Sequence, residues 1–277
     1  MKGSSCVRFL QWALPRMGMR WRGYRKVRRQ VCRKLQRRVA ELDLSGMEAY
    51  RRYLEENPGE WPVLDGMCRI TISRFCRDRR VFEALGGTVL PSLAHAPNSD
   101  GALRVWSAGC ASGEEPYTIS ILWERTLARR FPGLGLQIVA TDVGDTMLQR
   151  ARTARYEAGT LKELPRAWVE EAFELTTDDS GVENFVLEPR YRRRVVFIRE
   201  DIRERMPPGP FHLVLCRNLL FTYFDEEVQV RLLHKILGRM APGGYLVLGS
   251  HEGLPRGEWP LERIPESRCV FAARKES

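Results

Sequence analysis

Two different hydrophobic periodicities divide the chain. Up to about residue 90, apolar side chains recur every three or four positions, which is the spacing of an amphipathic helix, as in Val27, Val31, Leu35, Val39 and Leu42. After residue 102, short apolar runs of strand length alternate with longer helical stretches. The first part is therefore predicted to be all-helical, and the second to be an open, mostly parallel α/β sheet with helices on both faces.

Local signals set the predicted ends of the N-terminal helices. Ser45 and Glu48 have the spacing of a capping box, so a second helix is predicted to begin there and to end near residues 57–59. Further helices are predicted at 61–68 and 78–90. Proline, glycine and small polar residues between 91 and 101 indicate a linker. We therefore predict a basic helical domain at 1–92, a linker at 93–102 and a second domain at 103–277.

The second domain has the order of elements expected for a nucleotide-binding type of sheet. Strands are predicted at 103–107, 136–141, 194–198, 211–216, 244–249 and 268–273, with helices through Ile119 and Phe131, at 145–154 and at 226–240. Residues 175–194 instead alternate in short runs, 184–187 and 191–196, broken by Gly181 and Pro189. We interpret them as a small antiparallel subdomain, at about 172–194. A ligand of such a sheet is expected at the carboxyl ends of its first strands.

Charge is distributed unevenly along the 277 residues. The formal net charge is +10, yet residues 1–40 contain thirteen Lys or Arg and no acid, so the remainder is slightly acidic. The basic segment indicates an acidic partner, either nucleic acid, anionic lipid or protein, although a solvated helix face would give the same count. No apolar run is long enough to span a bilayer, so membrane insertion is not expected.

Cysteine and histidine usage argues against a metal site. The seven cysteines are scattered, without a CxxC pair, and the four histidines show neither ligand nor triad spacing. We therefore predict no metal, no disulfide framework, and reduced thiols in the cytoplasm.

The most informative segment is the turn at 107–117, which follows the first predicted strand. Gly109 and Gly113 allow a ligand to approach the backbone, and a helix start follows. The G-x-x-x-G spacing is neither a dinucleotide fingerprint nor a P-loop. Glu114 and Glu115 would repel a pyrophosphate but attract an ammonium or sulfonium group, which favours S-adenosylmethionine over a plain strand-to-helix turn.

Two further strand ends carry polar side chains. Asp142 ends the second strand, where a carboxylate can accept both hydroxyls of a ribose. Arg217 and Asn218 follow the apolar run 211–216 and are expected at the same edge of the sheet. Because strands often end in Asp for turn reasons, Asp142 is informative only together with the glycine turn.

In this order, these segments resemble the CheR-type chemotaxis receptor methyltransferases over about residues 27–273. The similarity is carried by the motifs at 104–110, 113–117, 140–142, 216–218, 223–225 and 242–244. The resemblance implies a Rossmann-like class I methyltransferase domain, a small N-terminal all-helical domain and a small antiparallel β-subdomain. It also implies S-adenosylmethionine as cofactor and glutamate side chains of chemoreceptor-like proteins as methyl acceptors.

The resemblance also implies a set of cofactor-binding residues. Glu115 matches the acid for the methionine end, Asp142 the acid for the ribose, and Asp201 with Ile202 the adenine-side pair, where the family more often has Asn-Leu. Together with the glycine turn, the expected cofactor-binding residues are Thr71, Ser73, Arg77, Gly109, Glu115, Asp142, Asp201, Ile202, Arg217 and Asn218. Thr71 and Ser73 stand where the family commonly has Asn and Thr, so the substrate side departs most from the pattern.

For catalysis, the resemblance implies Arg77, from the segment Phe75-Cys76-Arg77, and Tyr223. One extra residue separates Asn218 from Tyr223 relative to the family pattern. A glutamate carboxylate is already ionised at neutral pH, so its methylation needs no general base. The alternatives are methylation of a nucleic acid, another protein or a small molecule, and a degenerate fold that only binds. The sequence does not define the oligomeric state, and a monomer is expected.

Overall fold

A computed structural model describes residues 2–96, 101–178 and 181–274, and the chain divides into two compact units. The first comprises residues 1–70 together with 222–230, and the second comprises residues 71–221 and 231–277. The central part of the predicted linker, residues 97–100, lies outside the described residues. Residues 90–95, at its start, are helical.

The first unit is helical, as the periodicity predicts. Its helices are α1 (Lys2–Arg16), α2 (Trp21–Tyr24), α3 (Arg28–Glu41), α4 (Met47–Glu56) and α5 (Trp61–Cys68), with a 3₁₀ turn at Pro58–Glu60. The sequence analysis assigned no helix to residues 2–16. Their apolar stripe is short and interrupted by Arg8 and Gln11, but Leu10 and Leu14 are fully buried and hold the helix against its neighbours.

The predicted capping box at Ser45 and Glu48 is wrong. Helix α4 begins at Met47, so the N-cap position belongs to Gly46, with no side-chain capping bond. Gly46 has φ 151°, a conformation that favours glycine, and it moves the helix start one residue beyond Ser45. Glu48 is then the second helical residue, too early to close the box.

The prediction that all cysteines are reduced is also wrong. Cys6 on α1 and Cys32 on α3 form a disulfide with a Cα–Cα distance of 6.1 Å. Their 26-residue separation gives no signal in the sequence, since only the packing of α1 on α3 brings them together. The other five cysteines are free and buried.

Residues 222–224 contact the N-terminal part of the same unit through hydrogen bonds and ring packing. The Arg20 N–H donates to the Tyr223 carbonyl at 2.8 Å, and Arg20 Nε donates to the Thr222 carbonyl at 3.1 Å. The rings of Tyr24 and Tyr223 pack with centroids 5.0 Å apart. A Cβ atom at Gly23 would lie 2.2 Å from the Thr222 carbonyl oxygen, so this close approach requires glycine.

The second unit is built on a mixed sheet, which confirms the predicted α/β class. Within the described residues the sheet has seven strands in the order β6-β2-β1-β7-β8-β10-β9, parallel from β6 to β8 and antiparallel beyond. The strands are β1 (Ala102–Ala108), β2 (Gly135–Asp142), β6 (Val195–Arg199), β7 (Phe211–Leu215), β8 (Met240–Val247), β9 (Leu261–Arg263) and β10 (Val270–Ala273).

Helices connect the strands and extend the core of this unit. They are α6 (Arg79–Ala84), α7 (Leu90–His95), α8 (Glu114–Thr126), α9 (Asp145–Thr153), α10 (Ala158–Leu161), α11 (Arg166–Ala172) and α12 (Pro189–Arg192). The residues of α13 (Leu220–Tyr223) and α14 (Glu226–Leu237) are divided between this unit and the first. A π-helical segment, Leu85–Val89, joins α6 to α7. Residues 79–95 share a buried core with β1, β2 and α8, so the division between units falls at residue 70 and not at residue 92.

A small antiparallel sheet is present where a β-subdomain is predicted. It contains β3 (Arg155–Tyr156), β4 (Phe173–Thr177) and β5 (Glu183–Leu187) in the order β3-β5-β4. The second predicted run, 191–196, differs: Tyr191 lies in α12 and Val195 begins β6 of the main sheet. Pro189 explains this, because proline favours the first turn of a helix and interrupts a strand.

Membrane-spanning helices and metal-binding clusters are both absent from the residues that the structure describes. None of their helices combines the length and the hydrophobicity needed to cross a bilayer. No group of three or more His, Cys, Asp or Glu in these segments is arranged to hold a metal ion.

Candidate cofactor site

The turn between β1 and α8 requires its two glycines. Gly109 and Gly113 have φ values of 74° and 88°, in the left-handed region that favours glycine. A Cβ at Gly113 would lie 3.0 Å from Ala151 Cβ and 3.1 Å from a ring atom of Phe197, so a side chain would crowd both neighbours. The Gly109 N–H donates to the Thr141 carbonyl at 2.8 Å, which ties the turn to the end of β2.

Asp142 lies beside this turn. Its Oδ2 accepts the Ala111 N–H at 2.9 Å, and its Oδ1 accepts the Gly144 N–H at 2.8 Å. The residue is half-buried. A carboxylate offers about four acceptor positions, so two backbone bonds leave capacity for two hydroxyls of a ligand. Gly109 and Asp142, predicted from separate segments, therefore lie at one edge of the sheet.

Glu115 and Arg217 form a buried ion pair. Arg217 Nη1 donates to Glu115 Oε2 at 2.9 Å, and Ser107 Oγ donates to Glu115 Oε1 at 2.7 Å. The side chain of Arg217 is only 2% exposed, and that of Glu115 is 13% exposed. In these surroundings water screens the charges little, so each ion depends on its partner.

Asp78 is a second anion for the same guanidinium, and the sequence analysis did not single it out as a site residue. Arg217 Nη2 donates to Asp78 Oδ2 at 2.9 Å and to the Arg77 carbonyl at 2.6 Å. Asp78 Oδ1 accepts the Ser250 hydroxyl at 3.0 Å, and its backbone is left-handed with φ 64°. The only sequence signal is an acid directly after Arg77, 139 positions from its partner Arg217.

Arg77 is held from two sides. Its Nη1 donates to the Ile72 carbonyl at 2.9 Å, and its Nη2 donates to Asn218 Oδ1 at 3.1 Å. The predicted site residues Arg77, Arg217 and Asn218 therefore come together, although they belong to segments about 140 positions apart. The site therefore holds two guanidinium groups, of which that of Arg217 is paired with the carboxylates of Glu115 and Asp78.

Glu114, next to Glu115, is the most buried carboxylate of the turn. It is 1% exposed, and its Oε1 accepts the Ser112 hydroxyl at 2.8 Å. Burial raises the pKa of Glu114, while hydrogen bonds that include one from Ser73 oppose the rise. Its Oε2 has no hydrogen-bond partner within the described residues. The predicted cofactor residue Ser73 thus lies next to the glycine turn.

The remaining predicted cofactor residues lie in the same unit. The Glu200 N–H donates to the Asp142 carbonyl at 3.0 Å, which places the adjacent Asp201 and Ile202 near Asp142. The Asp201 carboxylate forms a bidentate pair with Arg203, whose Nε donates to Oδ1 and whose Nη2 donates to Oδ2, and Ile202 is buried. Thr71 is the first residue of the unit. The assignment of Asp201, Ile202 and Thr71 to the cofactor remains a prediction.

Tyr223 is part of the first unit, where its ring packs on Tyr24. Its catalytic assignment remains a prediction.

The donor set of the second unit fits S-adenosylmethionine. Asp142 has free acceptor capacity, and Arg217 Nε is a buried donor without a partner among the described residues. A ligand that satisfies Asp142 and Arg217 carries hydroxyls and an anionic group, and one that suits the acidic side chains of the turn also carries a cationic group. The amino-acid and ribose parts of S-adenosylmethionine supply all three, whereas a pyrophosphate would meet the acids of the turn.

A comparison with protein-family models decides the family. Residues 71–269, which correspond to most of the second unit, match the model described as "CheR methyltransferase, SAM binding domain". The chain belongs to the CheR methyltransferase family. The resemblance of the sequence motifs is thereby confirmed, and so is S-adenosylmethionine as the cofactor of the domain.

Relatives with this domain include proteins described as chemotaxis methyltransferases. The chain is 38% identical over 182 residues to chemotaxis protein methyltransferase 1 of Pseudomonas aeruginosa, covering 64% of each chain. It is 30% identical over 257 residues to the chemotaxis protein methyltransferase of Escherichia coli, covering 90% of this chain and 84% of the other. The match to the Pseudomonas protein thus spans slightly less than two thirds of that relative.

Proposed function

We propose that this CheR-family protein is an S-adenosylmethionine-dependent methyltransferase that converts glutamate side chains of an acidic, chemoreceptor-like protein into methyl esters. The observation that carries the proposal is the position of Arg77, held by Ile72 and Asn218, beside the Arg217–Glu115 pair. A guanidinium fixed in this way suits a carboxylate acceptor.

The chain's own groups have separate tasks in this proposal. When bound, S-adenosylmethionine supplies an electrophilic methyl group on a sulfonium. Asp142 binds the ribose hydroxyls, while Glu115 and Arg217 bind the amino-acid end. Arg77 pairs with the acceptor carboxylate. Alignment of this kind lowers a barrier by up to ~7 to 11 kcal/mol in well-oriented systems. Because the acceptor is ionised at neutral pH, no residue has to remove a proton.

The basic helical unit supports an acidic protein partner. Seven cationic side chains of α2, α3 and the turn between them are exposed: Arg22, Arg25, Lys26, Arg28, Arg29, Arg33 and Arg37. Such a surface favours association with an acidic helix and makes the association sensitive to salt. We propose that the reaction takes place in the cytoplasm.

Nucleic-acid binding is the second candidate, because aromatic residues are interleaved with the arginines. The structure disfavours it on one point. Tyr24 is 1% exposed, and the Trp12 ring is covered by the guanidinium groups of Arg16 and Arg51, at 4.5 and 4.6 Å. These rings are therefore not presented for stacking on bases, which is the main sequence-tolerant contact with single strands.

The product of the reaction tests the proposal. The purified protein is incubated with S-adenosylmethionine labelled in the methyl group and with a lysate of the host, and the labelled protein is then treated with alkali. A methyl ester releases volatile labelled methanol, so we expect most of the label to be volatile. Label that stays on protein would indicate amine or ring chemistry, and label on RNA or DNA would favour the second candidate.

Arg77→Ala serves as the matched variant in the same assay. We expect its single-turnover rate to fall by about 100-fold, because a charge-assisted contact to the acceptor is lost. A rate within a few-fold of the unmodified protein would remove Arg77 from the mechanism.

A further inference from the structure

Asn218 has a left-handed backbone, which asparagine adopts more readily than most other residues with a side chain. It follows β7 directly after Arg217 and has φ 55°, in the left-handed region that residues with side chains seldom adopt. The contacts of its backbone help to hold this conformation. The contact that holds the N–H of Asn218 is therefore informative.

That contact comes from a distant part of the chain. Glu252 Oε2 accepts the Asn218 N–H at 2.8 Å and the Gly249 N–H at 2.6 Å. Glu252 lies in the turn that follows β8, and it is half-buried. One carboxylate oxygen thus joins the ends of two neighbouring parallel strands, β7 and β8, at the ligand edge of the sheet.

The space around this oxygen is small. A Cβ at Gly249 would lie 2.7 Å from Glu252 Oε2 and 3.1 Å from Cγ of the Asn218 side chain. Gly249 therefore allows the carboxylate and the amide side chain to occupy adjacent positions. This arrangement fixes both contacts of Asn218. Glu252 binds its backbone N–H, and its side chain is directed to the opposite side, where it contacts Arg77.

The side chain of Asn218 leads to the proposed catalytic arginine. Its Oδ1 accepts a hydrogen bond from Arg77 Nη2 at 3.1 Å. A change of the Asn218 backbone from the left-handed region would move Oδ1 by ångströms. The guanidinium of Arg77 would then keep the Ile72 carbonyl as its contact on the other side.

We propose that Glu252 is a positioning residue for methyl transfer: by accepting the N–H of Asn218 it holds the left-handed turn, and through Asn218 it aims Arg77 at the acceptor. This inference rests on the proposed function of Arg77. Two of the contacts of Glu252 are to backbone N–H groups, and these require an acceptor atom at this position.

Because the proposal requires a hydrogen-bond acceptor at residue 252, the variants that test it keep, shift or remove the side-chain oxygen. Glu252→Gln keeps a carbonyl oxygen at the same distance along the side chain, and Glu252→Ala removes it. Glu252→Asp withdraws the carboxylate by one methylene and gives a graded version if the alanine variant does not fold. Glu258→Ala, an exposed acid in the same C-terminal segment, is the matched control.

Amide hydrogen exchange is the first readout, and it requires neither cofactor nor acceptor. We expect exchange of the Asn218 amide to accelerate by about 10-fold or more in Glu252→Ala, and to change by less than about threefold in Glu252→Gln and Glu258→Ala. Thermal melting of each variant establishes that it is folded. Unchanged exchange in folded Glu252→Ala would show that the carboxylate does not hold the turn.

Single-turnover methylation, measured in a double-mutant cycle with Arg77→Ala, is the second readout. We expect Glu252→Ala to lower the rate by about 10-fold or more in the unmodified background and by less than about threefold in the Arg77→Ala background, with rescue by Glu252→Gln. An equal loss in both backgrounds would overturn the proposal in favour of a purely structural role. Failure of Glu252→Gln to rescue a folded protein would also overturn it.

The two readouts separate this inference from the proposed function. If no protein carboxylate is methylated by the unmodified protein, the proposed function fails, while the exchange of the Asn218 amide still reports whether Glu252 holds the turn. If methylation proceeds and Glu252→Ala leaves its rate unchanged, only the inference fails.

Discussion

Replacement of Arg217 by methionine is expected to destabilise the protein strongly, even without cofactor. Arg217 is 2% exposed and is the shared partner of Glu115, which is 13% exposed, and Asp78, which is 27% exposed. Methionine fills most of the volume but leaves two carboxylates without their cation. Removing one partner of a buried ion pair costs about 3 to 5 kcal/mol.

The structure places the expected cost at the lower end of this range. Glu115 keeps the hydrogen bond from Ser107, and Asp78 keeps the one from Ser250 and has partial access to water. We therefore expect Arg217→Met to lower the free energy of unfolding by about 3 kcal/mol, or the melting temperature by roughly 6 to 12 °C for a chain of this size.

Urea unfolding followed by circular dichroism measures this cost, with a second variant that tests its cause. Adding Glu115→Gln to Arg217→Met replaces an unpaired carboxylate by a neutral amide, so the double variant should recover at least about 1 kcal/mol. Arg166→Met is the control, because Arg166 is 92% exposed in its pair with Glu170 and should contribute less than about 1 kcal/mol. A loss in Arg217→Met no larger than in Arg166→Met, or no recovery with Glu115→Gln, would refute the reasoning.

Three further predictions concern stability. Burial raises the pKa of Glu114 above its ordinary 4.5, so the cofactor-free protein should lose stability as the pH rises from 4.5 through the raised pKa. Glu114→Gln should therefore be more stable than the unmodified protein at about pH 8 and lose that advantage near about pH 4. A difference in urea midpoints that does not change with pH would contradict this. Reduction of the Cys6–Cys32 disulfide, which links residues 26 positions apart, should lower the free energy of unfolding by about 3 to 4 kcal/mol, and Cys6→Ala with Cys32→Ala should make unfolding insensitive to reductant. Gly23→Ala should destabilise the protein by about 1 to 3 kcal/mol, because its Cβ would lie 2.2 Å from the Thr222 carbonyl oxygen; an unchanged melting temperature would mean that this contact is not kept in solution.

The parts of the site that the sequence predicts are those encoded by neighbouring residues. Gly109, Gly113 and Asp142 follow apolar runs whose length and order define β1 and β2, and parallel pairing places the ends of those strands together. Local chemistry was sufficient there, because the glycine conformations and the strand ends are properties of short segments.

The contacts that join distant segments were not predictable from spacing. Asp78 and Glu252 are ordinary acids in the sequence, and they become site residues only because β7 ends between the segments that carry them. The Cys6–Cys32 disulfide has the same origin, since the pairing depends on how α1 packs on α3. Side-chain partners 26 to 140 positions apart are a property of the tertiary fold, which periodicity does not encode.

Two predicted element boundaries differ from the structure because of the backbone preference of a single glycine or proline. Gly46 displaces the helix start from Ser45, and Pro189 converts the run that contains Tyr191 from a strand into the first turn of α12. In both cases a backbone preference at one residue outweighs a favourable pattern of side chains around it.

Binding of S-adenosylhomocysteine, measured by titration calorimetry, tests the central claim most directly. The account predicts one site per chain and a dissociation constant that rises by about 10-fold or more in Asp142→Asn, where a neutral amide replaces the carboxylate proposed to bind the ribose. Asp145→Asn, whose exposed carboxylate pairs with Arg199, should bind like the unmodified protein. Absence of binding by the folded protein, or equal affinity in Asp142→Asn, would contradict the account.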